Sequence, residues 1–223
     1  MKRNVRWVAW AVLLPGLLVV STVAQGAPLP APSTDVSVTN LAAFTAGTVV
    51  NDTGSLAFSF GGNTGTVREW VVSNASTALC AGCLSFVYQV QVTGGSVGRV
   101  AGSPYDAFTV DVSHFGSAVL ALTGSVNGIF GANNADRDAS GNTIDFDYTS
   151  PITSTFSSFL EIANTNATAS QAGTIAISAG VLTAGSQTLT GFAPGTATGV
   201  PEPATILLLG SSLVALGVWR RRS

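Results

Sequence analysis

Through the middle of the chain, short apolar segments are separated by turn signals about every 8 to 12 residues, a spacing that belongs to antiparallel sheets. Residues 56–60 (Leu-Ala-Phe-Ser-Phe) run into Gly61 and Gly62, which read as a turn. The clearest pattern lies at 84–93, where Leu84, Phe86, Tyr88, Val90 and Val92 alternate with Ser85, Gln89 and Gln91. It predicts a strand with one face on a core and the other, bearing the polar residues, in solvent. Further strands are predicted at 66–72, 108–113, 118–123, 143–148, 159–163, 174–178 and 187–192. No stretch of this body keeps a 3.6-residue apolar period over helix length. The expected fold class is therefore all-β, an antiparallel β-sandwich, with a jelly-roll-like strand order as one form of it.

The two ends read differently. Lys2, Arg3 and Arg6 precede an apolar run over 7–20, which is followed by small residues up to Ala24, the layout of a cleavable secretory signal over 1–24. Spanning a bilayer takes roughly 20 apolar residues, and Pro15-Gly16 interrupts this shorter run, so a permanent membrane helix fits it less well. A proline-rich leader is expected over 25–33, the sandwich over 34–192 and a flexible spacer over 193–199. Near the other end come Pro201, Glu202 and Pro203, an apolar stretch over 204–219, and Arg220-Arg221-Arg222. At 1.5 Å per residue that stretch reaches about 24 Å as a helix, and Trp219 at the interface with snorkelling arginines makes up the rest of the span. The basic residues at both extremities place both on the cytoplasmic side and the body outside.

This ordered set resembles the PEP-CTERM sorting signal of exopolysaccharide-making Gram-negative bacteria. The resemblance implies that Pro201, Glu202 and Pro203 are the recognition site of an exosortase, a membrane transpeptidase-like enzyme. An ordinary tail anchor would need the apolar stretch but neither the motif nor the arginine cluster. A looser resemblance links the body, from Asp136-Arg137 through residues 141–146 to 159–162 and 164–167, to the bodies of other PEP-CTERM proteins. It implies a shared fold and no particular activity.

Charge narrows the function further. Six of the nine basic residues sit in the two ends, leaving Arg68, Arg99 and Arg137 against ten carboxylates once Glu202 is set aside, so the body carries a formal charge of 3 − 10 = −7. Nucleic acid is excluded as a partner, because nothing supplies the counter-charge a phosphate backbone requires.

Within the body, Cys80 and Cys83 form a Cys-Ala-Gly-Cys unit, which in an exported protein reads as a disulfide at the turn entering the strand at Leu84. A thioredoxin-like redox pair would need a βαβ context, and a metal site a second ligand pair; the sequence offers neither. His114, the one histidine, follows Asp111 and Ser113, yet no Gly-x-Ser-x-Gly elbow is present and strand alternation turns His114 away from the other two. It reads as a surface or turn residue at a strand end.

Asp145 and Asp147 would project from one strand face about 7 Å apart, a separation open to a glycosidase pair but equally produced by polar-out alternation. Asp136, Asp138, Ser140, Asn142 and Asp147 place oxygens at positions 1, 3, 5, 7 and 12 around Gly141, which resembles a calcium loop. A polar hairpin tip is the ordinary alternative. The function expected is that of a non-enzymatic exported protein of the cell surface or extracellular matrix, associated with exopolysaccharide and without a required cofactor. A carbohydrate-binding module is the second reading, with Trp70 and the tyrosines as its only aromatic resource beyond phenylalanine, and a glycoside or other hydrolase the third.

Overall fold

The computed structural model describes residues 25–180 and 185–196. The signal over 1–24, the end of the spacer, and the tail with Pro201, Glu202 and Pro203 lie outside the described residues. Among those described there is no helix long and apolar enough to cross a membrane, and every regular element is a strand. In chain order these are β1 (Ala27–Pro28), β2 (Ser33–Ser37), β3 (Thr39–Asn40), β4 (Thr48–Asp52), β5 (Leu56–Phe60), β6 (Asn63–Ser73) and β7 (Leu84–Gly94). They continue with β8 (Ser96–Ser103), β9 (Val110–Phe115), β10 (Asn134–Arg137), β11 (Ile144–Thr153), β12 (Leu160–Thr165), β13 (Ala169–Ser178) and β14 (Ser186–Gly195).

Two sheets form. The first has the order β1-β9-β12-β7-β6-β4, with β3 also on β9 and β5 also on β6; the second runs β14-β13-β8-β11-β10-β2. All pairings are antiparallel except the two-residue contact of β3 with β9. The hairpins β6–β7 and β13–β14 each stay within one sheet, while the chain crosses between the sheets from β7 to β8, β8 to β9, β9 to β10, β11 to β12 and β12 to β13. The architecture is an antiparallel two-sheet β-sandwich.

Between the sheets, even positions of β7 (Phe86, Tyr88, Val90) meet Val100, Ile144, Phe146, Ile175 and Ile177 of the second sheet. The rings of Tyr88 and Phe146 lie 6.2 Å apart across this interface. Gly102 of β8 leaves the space that the Tyr88 hydroxyl occupies; a Cβ there would collide with it. Burying a side chain such as Phe146 contributes about 2–3 kcal/mol.

The first sheet is covered on its other face as well. Leu41, Phe44, Ala46 and Leu122 come from loops and pack on Trp70, Val72, Val87, Leu160 and Ile162. This second layer corrects the sequence reading of β7: Ser85 and Gln89, expected in solvent, are 0% and 2% exposed. Their polar atoms are satisfied locally, Ser85 Oγ donating to Asn164 Oδ1 of the neighbouring β12 at 2.7 Å and Gln89 Nε2 to the loop carbonyls of Val126 and Ser158 at 2.8 and 3.0 Å.

Residues 118–123, expected as a strand, belong to that cover. Leu122 N–H donates to the Val119 carbonyl at 2.8 Å and Ser125 N–H to that of Leu122 at 2.9 Å, so the segment closes successive turns, sinking Leu122 and leaving Leu120 in solvent. The sandwich also reaches beyond 34–192. Ala27 and Pro28 pair with Val112 and Asp111, and Leu29 is buried, so part of the proline-rich leader is edge and core. At the other end β14 continues through Ala193, Pro194 and Gly195, paired with Gln171, Ser170 and Ala169. Proline fits there because its missing N–H would point away from the ladder partner.

Candidate functional site

The most unusual chemistry of the body is a polar row inside the sandwich. Glu69 of β6 stands opposite Tyr88 of β7, Tyr88 opposite Glu161 of β12, and Glu161 opposite His114 of β9. Directly opposed residues share a sheet face, and the parity of Val67, Val71 and Phe86 makes this the inner one. Both glutamates are 0% exposed and His114 is 8% exposed. His114 is therefore not the surface residue expected from sequence, because β9 continues through Phe115 and carries it inward. Its ring packs on Phe159 at 5.1 Å.

Each glutamate joins the two halves of the sandwich. Glu69 Oε2 accepts the Phe192 N–H of β14 at 2.7 Å, and Glu161 Oε1 accepts the Ala132 N–H, just before β10, at 2.9 Å. The hydroxyls of Tyr88 and Tyr105 are bonded to each other at 2.6 Å. Glu69 Oε1, Glu161 Oε2, His114 Nδ1 and the Tyr148 hydroxyl have no hydrogen-bond partner among the described residues. His114 Nδ1 lies 3.8 Å from Glu161 Oε2, too far for a hydrogen bond. Burial pushes both glutamic acids up to about 8, and it lowers the pKa of His114. Near pH 7 the row accordingly holds two neutral carboxylic acids and a neutral imidazole.

A second cluster occupies the outer face of the other sheet. Arg99 of β8 grips Asp147 with two bonds, Nε to Oδ1 at 2.5 Å and Nη2 to Oδ2 at 2.8 Å. It also reaches Asp145 at 3.4 Å and Asp136 at 3.8 Å. Asp136 faces Asp145 across β10 and β11, and Arg99 faces Asp147 across β8 and β11, so register alone assembles the four. Burial raises Asp145 to about 6 against the pull of Arg99. Both acids of the suggested glycosidase pair are thus committed to one guanidinium.

The calcium-like spacing maps onto two places. Asp136 and Asp147 lie on the sheet beside Arg99, while Asp138, Ser140 and Asn142 form the β10–β11 turn. There Asp138 accepts the Ser140 hydroxyl at 3.0 Å and the Asn142 N–H at 2.7 Å, and Gly141 takes φ = 73°, which suits glycine. Among the described residues no group of three or more His, Cys, Asp or Glu side chains is disposed to hold a metal ion. Because the Asp138 carboxylate is already engaged by the Ser140 hydroxyl and the Asn142 N–H, Asp138→Ala should lower stability by about 1 kcal/mol, whereas millimolar calcium is expected to leave the melting temperature unchanged. A calcium-dependent rise in the wild-type melting temperature would overturn this.

The remaining candidates separate cleanly. Asp111 and Ser113 project to the face opposite His114, so no triad assembles. Cys80 and Cys83 are at disulfide distance in the β6–β7 loop, with Cα atoms 5.1 Å apart, and Asn74 Oδ1 accepts the Gly82 N–H at 2.8 Å to close the same turn. Trp70 is 1% exposed under Arg68, whose guanidinium carbon is 5.1 Å from the ring centroid, and Tyr88, Tyr105 and Tyr148 are all buried. None of these four rings offers the stacking surface that the carbohydrate-binding reading needs.

Residues 199–222 match the profile of the PEP-CTERM protein-sorting motif. The chain carries a PEP-CTERM sorting signal. Pro201, Glu202 and Pro203 fall inside the matched span, and a signal of this class marks an exported protein sorted by an exosortase and anchored through its C-terminal segment before processing. No curated protein and no solved structure matches the chain.

Proposed function

We propose that the protein is a non-enzymatic structural component of the cell surface or exopolysaccharide matrix, delivered as a folded β-sandwich and released from the membrane at its PEP-CTERM signal. The observation that carries this reading is the sorting motif at 199–222, separated from the last strand only by residues 196–198. A signal peptide over 1–24 starts the export, the apolar stretch over 204–219 holds the chain in the inner membrane, and an exosortase acts at Pro201, Glu202 and Pro203. A structural role is supported by the commitment of the polar chemistry to the fold. Asp145 and Asp147 hold Arg99, while Glu69 and Glu161 hold backbone amides.

The experiment follows the tail. Exported protein is expected to lack residues 204–223 by intact mass, and Glu202→Ala is expected to accumulate in the inner membrane with those residues attached. Surface material that retains the terminal arginines would refute processing. Retention of the processed protein on the host's exopolysaccharide in a pull-down tests the matrix assignment separately, and its passage unretained through that polysaccharide would remove it.

A further inference from the structure

The three guanidiniums of the body are held differently. Arg68 is paired with Asp52, and Arg99 with Asp145 and Asp147. Arg137, which is buried, has no ion-pair partner among the described residues. Its bonds to the carbonyls of Leu29, Tyr105, Phe108 and Gly141 occupy four of its five N–H donors and leave one on Nη1. A buried cation satisfied only by carbonyl dipoles still lacks a counter-charge.

This guanidinium lines a groove of about 470 Å³ at one end of the sandwich. The other walls are mostly apolar, supplied by Pro28, Pro30 and Ala31 of the leader and by Ala107 and Phe108 of the β8–β9 loop. Asp106, also lining the groove, is exposed, and Asp138 in the neighbouring turn is engaged by Ser140 and Asn142. The last strand ends on the same side of the molecule. Gly195 of β14 pairs with Ala169, and three residues before Ala169 the Asn166 Oδ1 accepts the N–H of Thr109, a groove residue, at 3.0 Å. Beyond Gly195, seven further residues reach Glu202, and fully extended they cover about 23 Å. That is enough to recross one ladder pair and one short turn back to the groove.

We propose that this groove is the docking surface for the chain's own Pro201-Glu202-Pro203 segment, with Glu202 supplying the counter-charge of Arg137. Charge singles out this occupant. Between Ile162 and Trp219 the sole charged residue is Glu202, and Arg137 is the one arginine of the body without a carboxylate partner among the described residues. The prolines suit the same surface, because they restrict the backbone around Glu202 to extended forms, and such segments settle on proline- and aromatic-lined grooves with little loss of conformational freedom. The remaining Nη1 N–H then donates a charge-assisted bond to the Glu202 carboxylate. Since the apolar stretch over 204–219 follows directly, docking turns this end of the sandwich toward the membrane and withholds the motif from an exosortase until the segment lifts off. Both consequences rest on the proposed sorting of the tail, whereas the contact itself does not.

The test uses the purified full chain in detergent with no exosortase present, so its outcome is separate from that of tail processing. Ala107→Cys combined with Val200→Cys is expected to close an intramolecular disulfide under mild oxidation, identified by peptide mass beside the native Cys80–Cys83 pair. Ser154→Cys combined with Val200→Cys is expected to stay open, because Ser154 bonds to Gly95 at the opposite end of the sandwich. Adding Glu202→Gln to the first combination should slow its closure by about tenfold or more, the weight of a hydrogen bond to a charged group. Closure at an unchanged rate with Glu202→Gln, or at an equal rate in the Ser154 combination, would overturn the proposal, since proximity alone would then explain it. So would failure of the Ala107 combination to close.

Discussion

Replacing Arg137 by leucine is expected to destabilise the sandwich by about 3 kcal/mol or more, the cost of leaving several buried carbonyls without donors. Arg137 is 6% exposed, and its guanidinium donates to the carbonyls of Leu29 at 3.2 Å, Tyr105 at 2.7 Å, Phe108 at 2.8 Å and Gly141 at 3.0 Å. These acceptors belong to the segment after β1, the β8–β9 loop and the β10–β11 turn. One planar fork thereby ties together three stretches, beside the single backbone bond from the Tyr105 N–H to the Asn142 carbonyl at 2.8 Å. Arg137→Lys should recover only part of the loss, because a single ammonium cannot present donors along four directions. Chemical denaturation of both variants gives the comparison. A loss below about 1 kcal/mol for Arg137→Leu would mean that water replaces the guanidinium at these carbonyls.

Sequence periodicity recovers the strands whose apolar residues are large. β5, β6, β7, β9, β11, β12, β13 and β14 all overlap predicted segments, because Phe, Val, Ile and Tyr at alternate positions announce a buried face. It misses β8 (Ser-Val-Gly-Arg-Val-Ala-Gly-Ser), a central strand whose glycines serve close approach to Tyr88 and to the backbone of Ala179. A strand chosen for what it leaves empty carries little hydrophobic signal. Residues 118–123 fail for the opposite reason, being apolar because they cover Trp70 and its neighbours rather than because they pair.

The site chemistry was legible in parts. Alternation correctly separated His114 from Asp111 and Ser113, and it placed Asp145 and Asp147 on one face. The loop spacing pointed to a polar tip at 138–142, but residue order cannot show that Asp136 and Asp147 meet Arg99 from another strand. Glu69 and Glu161 belong to no motif. Glu69 shares parity with Val67 and Val71, which was the available signal: an acid in register with a core face. Arg137 offered no comparable signal, since its four acceptors are backbone carbonyls whose meeting depends entirely on tertiary structure.

Those two glutamates should make the fold more stable in mild acid than in mild base. Burial raises each to about 8 in the folded protein, whereas an unfolded chain returns them to about 4.3. Between these values the native state holds a proton that the unfolded state has lost, so stability falls as pH rises from about 5 to about 8 and levels off above. The groups facing Glu69 are Tyr88 and Tyr105, and those near Glu161 are Tyr148 and His114; burial raises all three tyrosines, which stay neutral across the window. Asp145, raised to about 6, adds the same sign at lower pH. His114 opposes it, because a buried imidazole with a lowered pKa resists protonation and costs stability below about pH 6.5. The melting temperature is therefore expected to decline from pH 6.5 to pH 8.5, by an amount corresponding to a few kcal/mol for the pair. Glu69→Gln keeps an oxygen for the Phe192 N–H but carries no charge at any pH. It should flatten about half of the decline and exceed the wild type at pH 8.5, with Glu69→Gln/Glu161→Gln removing nearly all of it. A wild-type melting temperature that holds steady or climbs toward pH 8.5 would show that these carboxyls are already ionised inside the sandwich, with water reaching the oxygens that the fold leaves unpaired.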